Sequence, residues 1–159
     1  TATMNRPYAM LICFIIISGL LLPGNPDFSV ADTPPSADEK SLTVVIHIKN
    51  APKRVRAFGM DLLYPAEILQ YQSAQRGPLL QEGFSFFGVN EIAPGKLRIG
   101  GMEPGDLYIP EQASGELVRL KFTTIKQKTP DFQITAVKDD FRHWMDTSAE
   151  HLVVTVVNN

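Results

Sequence analysis

The sequence predicts an all-β protein, a two-sheet antiparallel sandwich, on three observations. Apolar residues alternate with polar or small ones over short stretches, the period of a strand with one face buried. Turn signals built on Gly, Pro and Asn separate these stretches at spacings of roughly 8–15 residues. No ten-residue stretch carries a helical pattern, which disfavours an α/β arrangement. The chain has 159 residues, enough for one domain, and its 44% hydrophobic and 20% charged content is that of a globular protein. A formal net charge of −2 excludes a partner recognised through strong positive charge, such as nucleic acid.

The chain begins with a leader-like segment. Asn5 and Arg6 follow Met4, Ala9 to Leu22 is apolar, and Ser29-Val30-Ala31 places small residues before Asp32. This is the order of a secretory signal peptide over residues 1–31, with an apolar core shorter than the ~20 residues of a spanning helix. A secreted, periplasmic or extracellular location is expected. The single cysteine, Cys13, lies in this segment, so the body holds no disulfide framework and no Cys-based zinc site. Residues 32–40, D-T-P-P-S-A-D-E-K, form a flexible lead-in. The sandwich domain is expected over 41–159.

Ser41 to Ile48 is a β-branched strand with Leu42, Val44, Ile46 and Ile48 on one face. The stretch Val55 to Tyr71 organises the rest of the chain. Phe58, Met60, Leu62 and Tyr64 face inward, Ala57, Gly59, Asp61 and Leu63 face outward, and Pro65 stops the ladder because it has no N–H to donate. Ile68 to Tyr71 is expected to form a second, short strand. Gly83 to Asn90 reads as an aromatic strand, with Phe84 and Phe86 on one face and Ser85 and Phe87 on the other. Lys96 to Gly100 places Leu97 and Ile99 inward, with Lys96 and Arg98 outward. An irregular connection rich in Gly and Pro leads to a long amphipathic strand from Gly115 to Ile125. Phe132 to Val137 and Leu152 to Val157 complete about eight strands. Asp139 to Glu150 is the least regular part and has room for a single helical turn.

The ordered pieces resemble the cohesin family. They are Phe58-Gly59-Met60-Asp61-Leu62-Leu63-Tyr64-Pro65 with Ile68-Leu69, then Gly83-Phe84-Ser85-Phe86, then Gly95-Lys96-Leu97-Arg98-Ile99, then Ser114 to Phe122, then Phe132 to Phe141. The resemblance covers about Leu42 to Val157. It implies a secreted jelly-roll sandwich of eight or nine strands that docks a dockerin-like helix pair, or another surface protein, on one flat sheet face. That face is built by the family's third, fifth, sixth and eighth strands. The resemblance therefore places partner-binding residues at Ala57, Gly59, Asp61, Leu63, Ser85, Phe87, Lys96, Arg98, Gln133 and Thr135, with Gly100 beside them. Three departures stand out. The Asp of the family's Tyr-Asp-Pro corner is absent, since Tyr64 meets Pro65 directly. The segment before Leu42 does not read as the family's first strand, so an edge is expected to lie open to another chain. A lone module is also expected, since no scaffold repeat or attached enzyme is read within these 159 residues.

No catalytic site, cofactor or metal is expected. His47, His143 and His151 are scattered, and no phosphate-binding loop or nucleophile elbow occurs. Asp139, Asp140, His143 and Asp146 cluster around Trp144, which reads as a solvated loop before it reads as a carboxylate or metal site. Two other functions stay open. A carbohydrate-binding module would use coplanar aromatics drawn from Tyr64, Tyr71, Phe87 and Trp144. A structural subunit of an envelope or extracellular assembly would join through the open edge.

Overall fold

The computed structural model describes residues 40–80, 84–144 and 151–158. The leader, nearly all of the lead-in, Gly83 and Asp146 lie outside the described residues. Eight strands follow one another: β1 (Ser41–Ile48), β2 (Ala57–Leu63), β3 (Leu69–Arg76), β4 (Phe86–Ala93), β5 (Lys96–Met102), β6 (Gly115–Thr124), β7 (Gln133–Asp139) and β8 (Leu152–Asn158). Short 3-10 turns lie at Pro78–Leu80 and Asp140–Trp144. The strands form two four-stranded antiparallel sheets, ordered β3-β6-β1-β8 and β4-β5-β2-β7.

The inward residues of both sheets make one core. Val44, Ile46 and Ile48 of β1 meet Phe58, Met60 and Leu62 of β2, with Leu97 and Ile99 of β5 and Leu117, Leu120 and Phe122 of β6. Each such fully buried side chain contributes roughly 1.5–3 kcal/mol of transfer free energy. Phe58 packs between Phe84 and Phe141, at ring-centroid distances of 6.0 and 5.0 Å. Tyr64 packs on Phe122 at 5.0 Å and donates its hydroxyl proton to Glu91. Burial and that carboxylate push the phenol up to about 12.

Three readings of the sequence need correction. β3 continues past Tyr71 to Arg76, because its backbone stays paired with β6 after the apolar residues end. The aromatic stretch changes its facing: Phe84 and Phe87 point toward the core, and Phe86 points outward at 58% exposure. The cause is an anchor at Ser85, whose N–H and hydroxyl both donate to Glu103 Oε2 at 2.8 Å. It holds the chain in a bend, so the strand starts only at Phe86 and its parity inverts. Asp140 is not a solvated loop residue either. Its Oδ2 accepts from the N–H groups of Arg56 at 2.7 Å and Ala57 at 3.0 Å, which pins the start of β2.

The segment in which the family's first strand was not found, before Leu42, lies almost wholly outside the described residues; β1 itself is paired on both sides, by β6 and by β8. The edges among the described residues are β3 and β8 in one sheet, β4 and β7 in the other.

Candidate docking face

Residues directly opposite each other in an antiparallel pair project from the same face. The registers of β4-β5-β2-β7 therefore lay its outer face out in rows across the strands. One row is Phe86, Met102 and Ala57; the next is Gly88, Gly100, Gly59 and Lys138. A third is Asn90, Arg98, Asp61 and Thr135, and a fourth begins with Lys96, Leu63 and Gln133. Of the residues singled out from the sequence, Ala57, Gly59, Asp61, Leu63, Lys96, Arg98, Gln133 and Thr135 share this face. Ser85 precedes β4 and is occupied by Glu103. Phe87 is on the inner side, packed against the core under the Arg76 guanidinium, 5.6 Å from its ring centre.

The row of glycines is the central feature. Three neighbouring strands each present a position without a side chain, so the middle of the sheet is bare backbone. Packing does not demand this. A methyl built on Gly88 meets nothing nearer than 3.9 Å, and one on Gly59 or Gly100 nothing nearer than 3.4 Å. Gly101, one residue further and inward-facing, is the opposite case, since its methyl would sit 2.6 Å from the Phe58 ring.

The rows on either side differ in chemistry. Phe86 and Met102 are 58% and 49% exposed and lie opposite each other, an aromatic–thioether pair of the kind interfaces favour. This pair carries no local signal in the sequence, because Ser85 hides the parity of Phe86. On the other side Asp61 is only 2% exposed although it points outward. Arg98 covers it with two hydrogen bonds, at 2.9 and 3.2 Å, and Lys96 Nζ reaches it at 3.1 Å. The Arg98 guanidinium, with Lys96 beside it, holds the Asp61 carboxyl down to about 2. Two cations against one carboxylate, Lys96 reaching over from the next row, leave this cluster net positive.

Among the described residues no three His, Cys, Asp or Glu side chains are placed to hold a metal ion. Of the four aromatics considered for a sugar platform, Trp144 is 1% exposed and packs on Phe141, Tyr64 is buried, and Tyr71 and Phe87 pack against the core. They form no exposed strip.

No family model and no curated protein matches this sequence. Solved structures do. The chain is similar to the seventh ScaB type I cohesin from Pseudobacteroides cellulosolvens, with a TM-score of 0.56 and 18% identity over 63% of this chain and 68% of that one. The sixth cohesin of scaffoldin B from Acetivibrio cellulolyticus, in complex with a mutant Cel5 dockerin, gives 0.52 and 18% over 64% and 78%. A non-cellulosomal cohesin from the hyperthermophilic archaeon Archaeoglobus fulgidus gives 0.50 and 21% over 63% and 67%. The class is thereby defined: a two-sheet β-sandwich with the fold of cohesin modules.

Proposed function

We propose that this chain is an exported, non-catalytic docking module that binds a protein partner on the outer face of β4-β5-β2-β7. The observation that carries the reading is the bare glycine row, which the packing of the fold does not require. It lies between the exposed Phe86–Met102 pair and the Arg98–Asp61–Lys96 cluster. The likeness to cohesins, one of them in complex with a dockerin, supports it. The leader-like segment supports export.

The dimensions favour a helix. Alternate residues on one strand face are about 6.7 Å apart, so the apolar and ionic rows stand roughly 13 Å from each other. An α-helix with side chains is about 10–12 Å across. A helix laid across the strands over Gly88, Gly100 and Gly59 places one flank on Phe86 and Met102 and the other near Arg98 and Lys96. The matching partner is apolar on the first flank and acidic or polar on the second, as in a dockerin-like helix pair.

The test is affinity capture from the source organism's secreted fraction. The wild-type chain is expected to retain one protein that Gly100→Arg and Phe86→Ala both release, while Arg119→Ala on the opposite sheet retains it. Truncating Phe86 is expected to weaken binding by about 1–2 kcal/mol, or roughly five- to thirtyfold. Retention on cellulose or chitin with no protein recovered would show a glycan-binding module instead.

A further inference from the structure

Edge strands expose unpaired N–H and C=O groups, and proteins blunt them with bulges, charges or breaks. Of the four edges among the described residues, three are blunted. The register of β3 shifts between Tyr71 and Ser73, and the strand ends on Arg76. The register of β4 shifts between Glu91 and Ala93, and Glu91 puts a charge on it. β7 is interrupted at Ala136, where φ is 49°, and carries Lys138 and Asp139. β8 has none of these devices. Its register with β1 runs unbroken from Leu152 to Asn158, and its sequence, LVVTVVN, contains no charge, no Gly and no Pro. Val156 and Val157 are 39% and 42% exposed.

The order of residues on β8 says what would fit. Val153-Val154-Thr155-Val156-Val157 reads the same in both directions about Thr155. An antiparallel partner of identical sequence, related by a two-fold axis at Thr155, sets Thr155 opposite its own copy. Val154 then faces Val156 of that copy, and Val153 faces Val157. Every pair is β-branched on β-branched, a favourable cross-strand match, and none brings like charges together. Faces match as well: Val154 and Val156 share the core side, opposite Ile46 and Val44, while Val153, Thr155 and Val157 share the outer side. A closed two-fold contact of this kind uses one patch twice.

We propose that β8 is a homotypic pairing edge, through which two copies of this chain join their β3-β6-β1-β8 sheets into one continuous eight-stranded sheet. The contact is one strand long, well under the area of a standard stable interface, so the dimer is weak and concentration-dependent. It uses an edge distinct from the docking face and leaves that face open on both copies.

Sedimentation of the purified chain over a range of concentrations tests this, with two variants at the axis. Thr155 is exposed and on the outer side, so Thr155→Lys and Thr155→Glu are compatible with the fold, which circular dichroism would verify. The wild type is expected to show a reversible monomer–dimer equilibrium. Each variant alone is expected to be monomeric, because like charges meet at the axis. An equimolar mixture of the two is expected to regain the dimer, since Lys then opposes Glu. A wild-type chain that stays monomeric at all concentrations overturns the proposal, including the case in which another segment of this chain covers β8. So does a Thr155→Lys dimer as tight as wild type, or a mixture that fails to associate.

Discussion

On the outer face of β4-β5-β2-β7 the middle row is Gly88, Gly100 and Gly59. Across the middle of the other outer face run Gln75, Arg119, Val45 and Thr155. The second face covers itself. Val45 is 1% exposed although it points away from the core, and Arg119 is held in two hydrogen bonds to Glu116 at 2.7 and 2.8 Å. The first face buries a carboxylate under two cations and leaves the space next to it empty. Both sheets have four antiparallel strands, so strand pairing does not dictate the difference. Glycine inside a strand costs roughly 0.5–1 kcal/mol relative to alanine. Three of them in register, with room for a methyl at each, mean that stability is given up on one face and not on the other.

The largest expected effect separates glycines that the fold needs from those it does not. Gly101→Ala drives a methyl to 2.6 Å from Cε1 of Phe58, whose ring cannot retreat because Phe84 and Phe141 enclose it. Overpacking of this kind is expected to cost about 1–3 kcal/mol. Gly100→Ala, next along the chain, is expected to leave stability unchanged or raise it by up to about 1 kcal/mol. Urea midpoints of the two variants check the contrast. A Gly100→Ala chain as unstable as Gly101→Ala would mean that packing sets the bare row after all.

A second, smaller effect concerns the ionic row. The Asp61 carboxyl is held at about 2 when folded and titrates near the ordinary carboxylate value of about 3.9 when unfolded. The folded state thus binds fewer protons between these values. The stabilisation is complete above about pH 4 and is lost as pH falls toward 2. Asp61→Asn is expected to cost about 1–2 kcal/mol near neutral pH, below the cost of breaking a fully buried pair because Arg98 is half-exposed. The gap between wild type and variant should stay constant above pH 4 and close below it. A gap independent of pH would show that Asp61 acts through packing and not through its charge.

Much of this contrast was legible in the sequence, and the limit falls where contacts become long-range. Period two gave the facing of Phe58, Met60, Leu62 and Tyr64, and Pro65 gave the end of β2, because both are local rules. The resemblance to cohesins pointed to the four strands of the sheet on which docking is proposed. Phe86 was turned the wrong way because Glu103, 18 residues beyond Ser85, sets the bend there. Glycines 59, 88 and 100 are visible in the chain, but their alignment in one row depends on two registers that no single strand contains. The same holds for Asp61: its outward position comes from alternation, and its burial only from Arg98 across the β2–β5 pair. The repeat of valines about Thr155 can be read directly, whereas the position of β8 at a sheet edge cannot.

The smallest effect is expected on the self-covered face. Glu116 and Arg119 meet on one side of β6 although they are three apart, because the β1–β6 register slips between Ile46 and His47 and leaves Leu117 without a partner in β1. Their side chains are 26% and 48% exposed, so solvent screens the pair. Glu116→Gln and Arg119→Ala are each expected to leave stability nearly unchanged, with a weak coupling between them that shrinks further at high salt. Neither is expected to alter capture of the partner. Thermal unfolding of the single and double variants reads the coupling, and the capture experiment reads the rest. If either substitution released the partner, the docking surface would have to extend to this second face, and the bare row would no longer distinguish the two.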